Sequence, residues 1–128
     1  MEKQDFDDDD YVTILGHEFW WWGVDAIHSP HTGIEREVMV WTHQHDIQPL
    51  IIVCRDADFK GQYLHERAEA FVTIEDNPKI IVPSGATLPD GIWNQVVSWI
   101  RLNKEGLLKL WNEEICSSDF LFDYMKKI

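Results

Sequence analysis

Apolar and polar positions settle into two rhythms along this chain, and the longest regular stretch runs from Leu88 to Ile115. There Trp93, Val96, Val97, Ile100, Leu107, Leu108, Trp111 and Ile115 recur at spacings of three and four. That spacing predicts one long amphipathic helix with those residues on its buried face. Thr87-Leu-Pro-Asp90 predicts its start. The threonine can cap, proline is tolerated in a first turn, and Asp90 complements the free amides and the helix dipole. A face with two tryptophans needs a broad apolar partner, and the patterns upstream of it are those of a sheet.

Tyr11 to Leu15 is a short β-prone run closed by Gly16, and His17 to Gly23 carries Phe19, Trp20, Trp21 and Trp22 in succession. Four aromatics on a pleated strand must point to both faces. Val24 to Gly33 loses the pattern and contains His28-Ser-Pro-His31-Thr-Gly33, which has turn chemistry and predicts a loop. Glu35 to His45 alternates, with Arg36, Val38, Val40 and Thr42 on one side and Glu37, Met39, Trp41, His43 and His45 on the other. Leu50 to Val53 is continuously apolar, as a central buried strand requires. Arg55 to Glu66 reads as a surface connection. Ala68 to Ile74 and Lys79 to Val82, joined by Asp76-Asn77-Pro78, form the clearest hairpin. Ser117-Ser118-Asp119 predicts a cap for a final short helix anchored by Phe120, Leu121, Tyr124 and Met125. The expected fold is α+β: residues 1–10 as an acidic lead, then residues 11–128 as a single domain. An antiparallel or mixed sheet of about five strands is packed by the long C-terminal helix and the short final one.

Charge narrows the partners. The formal net charge is −12, and residues 2 to 10 contribute −5 of it, from Glu2, Asp5, Asp7, Asp8, Asp9 and Asp10 against Lys3. No basic stripe exists to displace counterions from phosphates, so ordinary nucleic-acid binding is not expected, nor is binding to an anionic membrane. The acidic opening lacks the basic end and apolar core of a secretion signal, and no apolar run reaches membrane-spanning length, so a cytoplasmic location is expected. Two cysteines make no disulfide framework; Cys54 and Cys116 both read as buried free thiols.

Histidine supplies the one candidate metal constellation. Strand alternation projects His43 and His45 to the same face, where they are a plausible pair of ligands for a divalent metal. His28, His31, Asp46 and Glu37 are possible additions, but no His-Glu-x-x-His helix or paired Cys-x-x-Cys motif accompanies them. Cys54 has the apolar neighbours of a core thiol, and no Gly-x-Ser-x-Gly elbow or phosphate-cradling loop is present. Asp56 and Asp58 read as a solvated pair. Trp20, Trp21 and Trp22 are candidates for an aromatic surface that anchors a protein partner, with Asp7, Asp8, Asp9 and Asp10 attracting a basic one.

The segment Trp99-Ile-Arg-Leu-Asn-Lys-Glu-Gly-Leu-Leu-Lys-Leu-Trp111-Asn-Glu resembles the C-terminal helix of a small bacterial family. That family is numbered four thousand one hundred and sixty among the domains of unknown function. Its members also carry a histidine-rich Pro-His-x-His strand, which His28-Ser-Pro-His31 and Thr42-His43-Gln-His45 each match in part. The helix match covers about an eighth of the chain, and the Trp20 to Trp22 block departs from the family pattern. The resemblance implies a compact α+β protein often encoded beside toxin–antitoxin-like partners. It implies no established chemistry and supplies no catalytic residues.

The leading expectation is therefore a non-enzymatic protein-interaction module, antitoxin-like or defence-linked. A metal-dependent hydrolase or nuclease using His43 and His45 is one alternative. An acidic nucleic-acid mimic that occupies a basic groove in another protein is the other.

Overall fold

The computed structural model describes residues 11–14, 17–20, 24–27, 29–41, 48–55, 67–82 and 85–128. β1 (Tyr11–Ile14) and β2 (His17–Trp20) form a two-stranded antiparallel sheet, with Tyr11 opposite Trp20. A second sheet has five strands: β3 (Val24–Ile27), β4 (Val38–Trp41), β5 (Leu50–Cys54), β6 (Ala68–Thr73) and β7 (Ile80–Val82). They lie in chain order, every neighbouring pair antiparallel. α1 (Ser29–Thr32) lies between β3 and β4. After β7 come α2 (Asp90–Trp111) and α3 (Ser117–Asp119), which runs directly into a π-helical turn, Phe120–Tyr124. The architecture is α+β, as the alternation and the long helical repeat require. No helix among the described residues is long and apolar enough to cross a membrane.

The centre of the sheet is buried on both faces, which explains why β5 has no polar side. Val40, Ile51 and Val72 stand opposite one another in one cross-strand row, and Val38, Val53 and Ala70 in the next. All six, with Ile27, Ile34 and Ile74, belong to the core that α2 closes. The alternate row, Met39, Ile52 and Phe71, points to the other face and is equally buried, as are Leu50 and Cys54. Loss of contact with water along both faces favours a strand of uninterrupted branched and aliphatic residues.

Four expectations need correction. Val24 to Ile27 is a strand and not a loop, and Ser29 to Thr32 is helical; cross-strand pairing of Val24 with Trp41 and Ile27 with Val38 overrides the weak local pattern. α2 is shorter than Leu88 to Ile115, and its N-cap is Pro89, with no side-chain cap, so Thr87 does not serve. Its buried residues are Ile92, Val96, Trp99, Ile100, Asn103, Gly106, Leu107, Leu110 and Trp111, whereas Trp93, Val97 and Leu108 are only half-buried. The buried face is thus rotated from the expected one by part of a turn. Finally, Cys116 is exposed: it is the N-cap of α3, just past the end of the long helix.

The far end of α2 is closed by a Schellman arrangement. The Glu114 amide donates to the Lys109 carbonyl (2.8 Å) and the Glu113 amide to the Leu110 carbonyl (3.1 Å), with Glu113 at φ 61° where glycine is the usual choice. The chain then folds back on α2. A Cβ on Gly106 would lie 3.0 Å from both a Phe120 ring carbon and the Tyr124 Cβ, so this turn of the helix needs glycine for the approach. Phe120 is fully buried and meets Trp99 edge-on, ring centroids 6.4 Å apart. Asn103, buried in mid-helix, holds the last residues. Its Nδ2 donates to the Trp99 carbonyl (3.0 Å) and the Lys126 carbonyl (2.9 Å), and its Oδ1 accepts from the Lys126 amide (2.6 Å). The Ile128 amide donates to the Thr32 carbonyl at 2.9 Å.

Candidate functional site

A concavity lies where the β6–β7 hairpin meets the first half of α2. Two adjoining hollows of about 500 and 360 Å³ share Pro78 and Trp93 and together make one groove. One wall is the hairpin turn and the start of β7: Asn77, Pro78, Lys79 and Ile80. The other is α2, through Asp90, Trp93, Val97 and Arg101, with Leu88 buried beneath. Lys79 and Asp90 bring one charge of each sign to the larger hollow, and Arg101 lies along the smaller.

Local contacts hold the two walls in place. Arg101 Nε donates to the Asp76 carbonyl at 2.8 Å, and Lys104 Nζ reaches Asp76 Oδ1 at 2.9 Å, so the tip of the hairpin is clamped to the helix. Inside the turn the Thr73 hydroxyl accepts from the Lys79 amide at 2.9 Å. Among the described residues β7 pairs with β6 alone, so its outer side is the edge of the five-stranded sheet. An unpaired strand edge offers amides and carbonyls to a further strand. Here the start of that edge, Ile80, adjoins the larger hollow, where Ile80, Leu88 and Trp93 supply apolar lining beside Lys79 and Asp90. Asn77, Asn94, Ser98 and Arg101 make the smaller hollow mainly polar. The sequence pattern placed Trp93 in the core and missed the groove. A signal was present: Trp93, Val97 and Arg101 form one stripe at spacing four, and a stripe that ends in arginine runs along the border of the buried face.

At the other end of the sheet a charged cluster surrounds Cys54. Arg36 Nη1 donates to the Cys54 carbonyl at 3.1 Å and pairs with Glu69, while Arg67 Nη2 meets Glu37 Oε1 at 2.7 Å. Burial pushes the Cys54 thiol from 9.0 up to about 12. The nearby Glu37 carboxylate adds to the rise, and Arg67 and Arg36 partly offset it. A thiol so placed is protonated throughout the physiological range and is a poor nucleophile, in keeping with the core role expected for it.

Of the residues singled out in the sequence, Trp20 ends β2. Trp21, Trp22, Asp7, Asp8, Asp9, Asp10, His43 and His45 lie outside the described residues, as do His28, Asp46, Asp56 and Asp58. His31 sits exposed in α1, and Glu37, considered as an oxygen ligand, is engaged by Arg67. No group of three or more histidine, cysteine, aspartate or glutamate side chains that could hold a metal occurs among the described residues. No family model, no curated protein and no solved structure matches the chain.

Proposed function

We propose that this chain is a non-enzymatic protein-interaction module that binds a protein partner. The observation that carries the reading is the groove of Trp93 beside β7, which among the described residues pairs with β6 alone. Main-chain groups of β7 can hydrogen-bond an extended segment of the partner. Its apolar side chains would then enter the hollows over Trp93, Ile80 and Leu88. The net charge of −12 favours a partner with basic surface and accelerates its approach at low salt. Trp20, Trp21 and Trp22, with Asp7 to Asp10, remain part of the proposal as partner-binding residues on the strength of their sequence character alone. Kinship with the bacterial family of unknown function belongs to the same proposal. It rests on residues 99 to 113, most of which lie in α2, and an antitoxin-like or defence-linked role would accord with it.

Site-specific photocrosslinking in the native source tests the reading. Photoreactive side chains at Ile81 and Trp93 are expected to trap one discrete protein, and excess unlabelled wild-type chain should compete it away. A probe at the exposed Phe122, beyond the C-terminal end of α2, should not trap that protein. Failure of both groove probes to yield a competed adduct removes this site from the proposal.

A further inference from the structure

We infer that this chain exchanges its C-terminal arm, residues 117–128, with that of a second copy to form a reciprocal dimer. The observation behind it is the way α2 stops. Helices commonly end on a glycine in the left-handed region, with proline soon after. Here Glu113 holds that position at φ 61°, and residues 107–128 contain neither glycine nor proline. The apolar spacing does not stop either. Trp111 is followed four residues on by Ile115, which is why the sequence pattern predicts a helix to that point. Asn112-Glu-Glu-Ile-Cys116 therefore has two backbone states. In one it makes the turn seen here. In the other α2 runs straight through it, Glu113 takes helical dihedrals, and the left-handed strain is gone.

A straight helix cannot keep its own arm in place. With the helix continued to Phe120, that ring stands about 20 Å along the axis from Gly106, at a rise of about 1.5 Å per residue. Opening empties three places at once: the notch at Gly106 that takes Phe120, the Asn103 amide that takes the Lys126 main chain, and the Thr32 carbonyl that takes the Ile128 amide. Asn103 and Thr32 are at most 3 % exposed, so leaving their groups unmet is costly. An occupant must present an aromatic ring, then one residue's N–H and C=O six positions later, then an N–H two positions beyond. The arm of a second copy does so by identity. A two-fold pairing of straightened helices lets each arm fill the other's places. The Trp93 groove shares no residue with the arm or with these three places, so the inference stands apart from the protein-interaction reading.

Sedimentation equilibrium of the full chain tests the hinge, after each protein is concentrated, warmed to just below its melting midpoint and cooled. The wild type is expected to show a monomer–dimer equilibrium. Glu113→Gly favours the turn and disfavours the straight helix at both hinges of a dimer. Its dimer dissociation constant should therefore rise about a hundredfold. Glu113→Ala, a better helix former that still strains the turn, should lower that constant a few fold. In a dimer of one isotope-labelled and one unlabelled copy, nuclear Overhauser effects are expected between Phe120 of one and Trp99 of the other. A wild type that stays monomeric overturns the proposal. So does a dimer whose affinity ignores position 113, or one in which Phe120 contacts only the Trp99 of its own copy.

Discussion

Trp93 and Trp99 stand less than two turns apart on the same helix and serve opposite ends. Trp99 is fully buried, wedged edge-on against Phe120 over the sheet, and its indole N–H has no acceptor among the described residues. Trp93 is half-buried and forms part of the wall of an open groove. Sequence character does not separate them, since both are tryptophans in an amphipathic helix. What separates them is the angle each takes to the sheet. Trp99 lies near the centre of the stripe that runs through Val96, Asn103, Gly106 and Leu110, and Trp93 lies on its flank beside Val97 and Arg101. The central tryptophan gives stability, and the flanking one remains available for contact.

The contrast can be broken by substitution. Trp99→Ala should cost about 3–5 kcal/mol, the range for deleting a core aromatic, and Trp111→Ala, also buried, a similar amount. Trp93→Ala should cost about 1 kcal/mol, as a residue with much of its surface already in water. Urea denaturation measures all three. Equal losses at positions 93 and 99 would mean that the groove wall is part of the core.

Asn103 sharpens the same comparison at the polar level. Asn103→Ala leaves the amide and carbonyl of Lys126 without their partner and should cost about 2 kcal/mol. Limited proteolysis should then cut near residues 125–128 sooner than in the wild type. Unchanged cleavage would mean that other contacts hold the tail.

The two thiols should differ just as clearly. A thiol reagent at pH 8 is expected to label Cys116 rapidly and Cys54 only when the chain unfolds. The folded chain holds the Cys54 proton more tightly than the unfolded one. Its contribution to stability is therefore complete below pH 9 and is lost as pH rises toward 12. Denaturation midpoints of wild type and Cys54→Ala should converge over that interval. A constant gap between them would show that Cys54 does not ionise there. The smallest effect is expected at Glu113, where Glu113→Gly relieves a left-handed backbone and should gain about 0.5–1 kcal/mol in the same urea assay.

Much of the architecture was legible because its signals are local. Continuous apolar character from Leu50 to Val53 marked the central strand, and Asp76-Asn77-Pro78 between alternating runs marked the β6–β7 hairpin. The spacing of apolar residues announced α2. Local signals were weakest where pairing alone stabilises an element. Val24-Asp-Ala-Ile27 alternates poorly, yet it is a strand because β4 supplies its hydrogen bonds. Candidate-site residues were harder to read, since Trp93 carries the same local pattern whether it is covered or open.

By itself, then, the sequence determined the α+β class, the buried centre of the sheet, the hairpin, the long helix and the core character of Cys54. Those depend on residue type and spacing within a few positions. Only the tertiary structure decided which stripe of α2 meets the sheet, that Cys116 faces solvent, and that a groove opens between the β6–β7 turn and α2. Arg101 and Lys104 hold the Asp76 turn beside the groove from 25 and 28 residues away. A contact between such distant segments leaves no periodic trace in the chain, because its geometry is set by how the packed elements come to rest against one another.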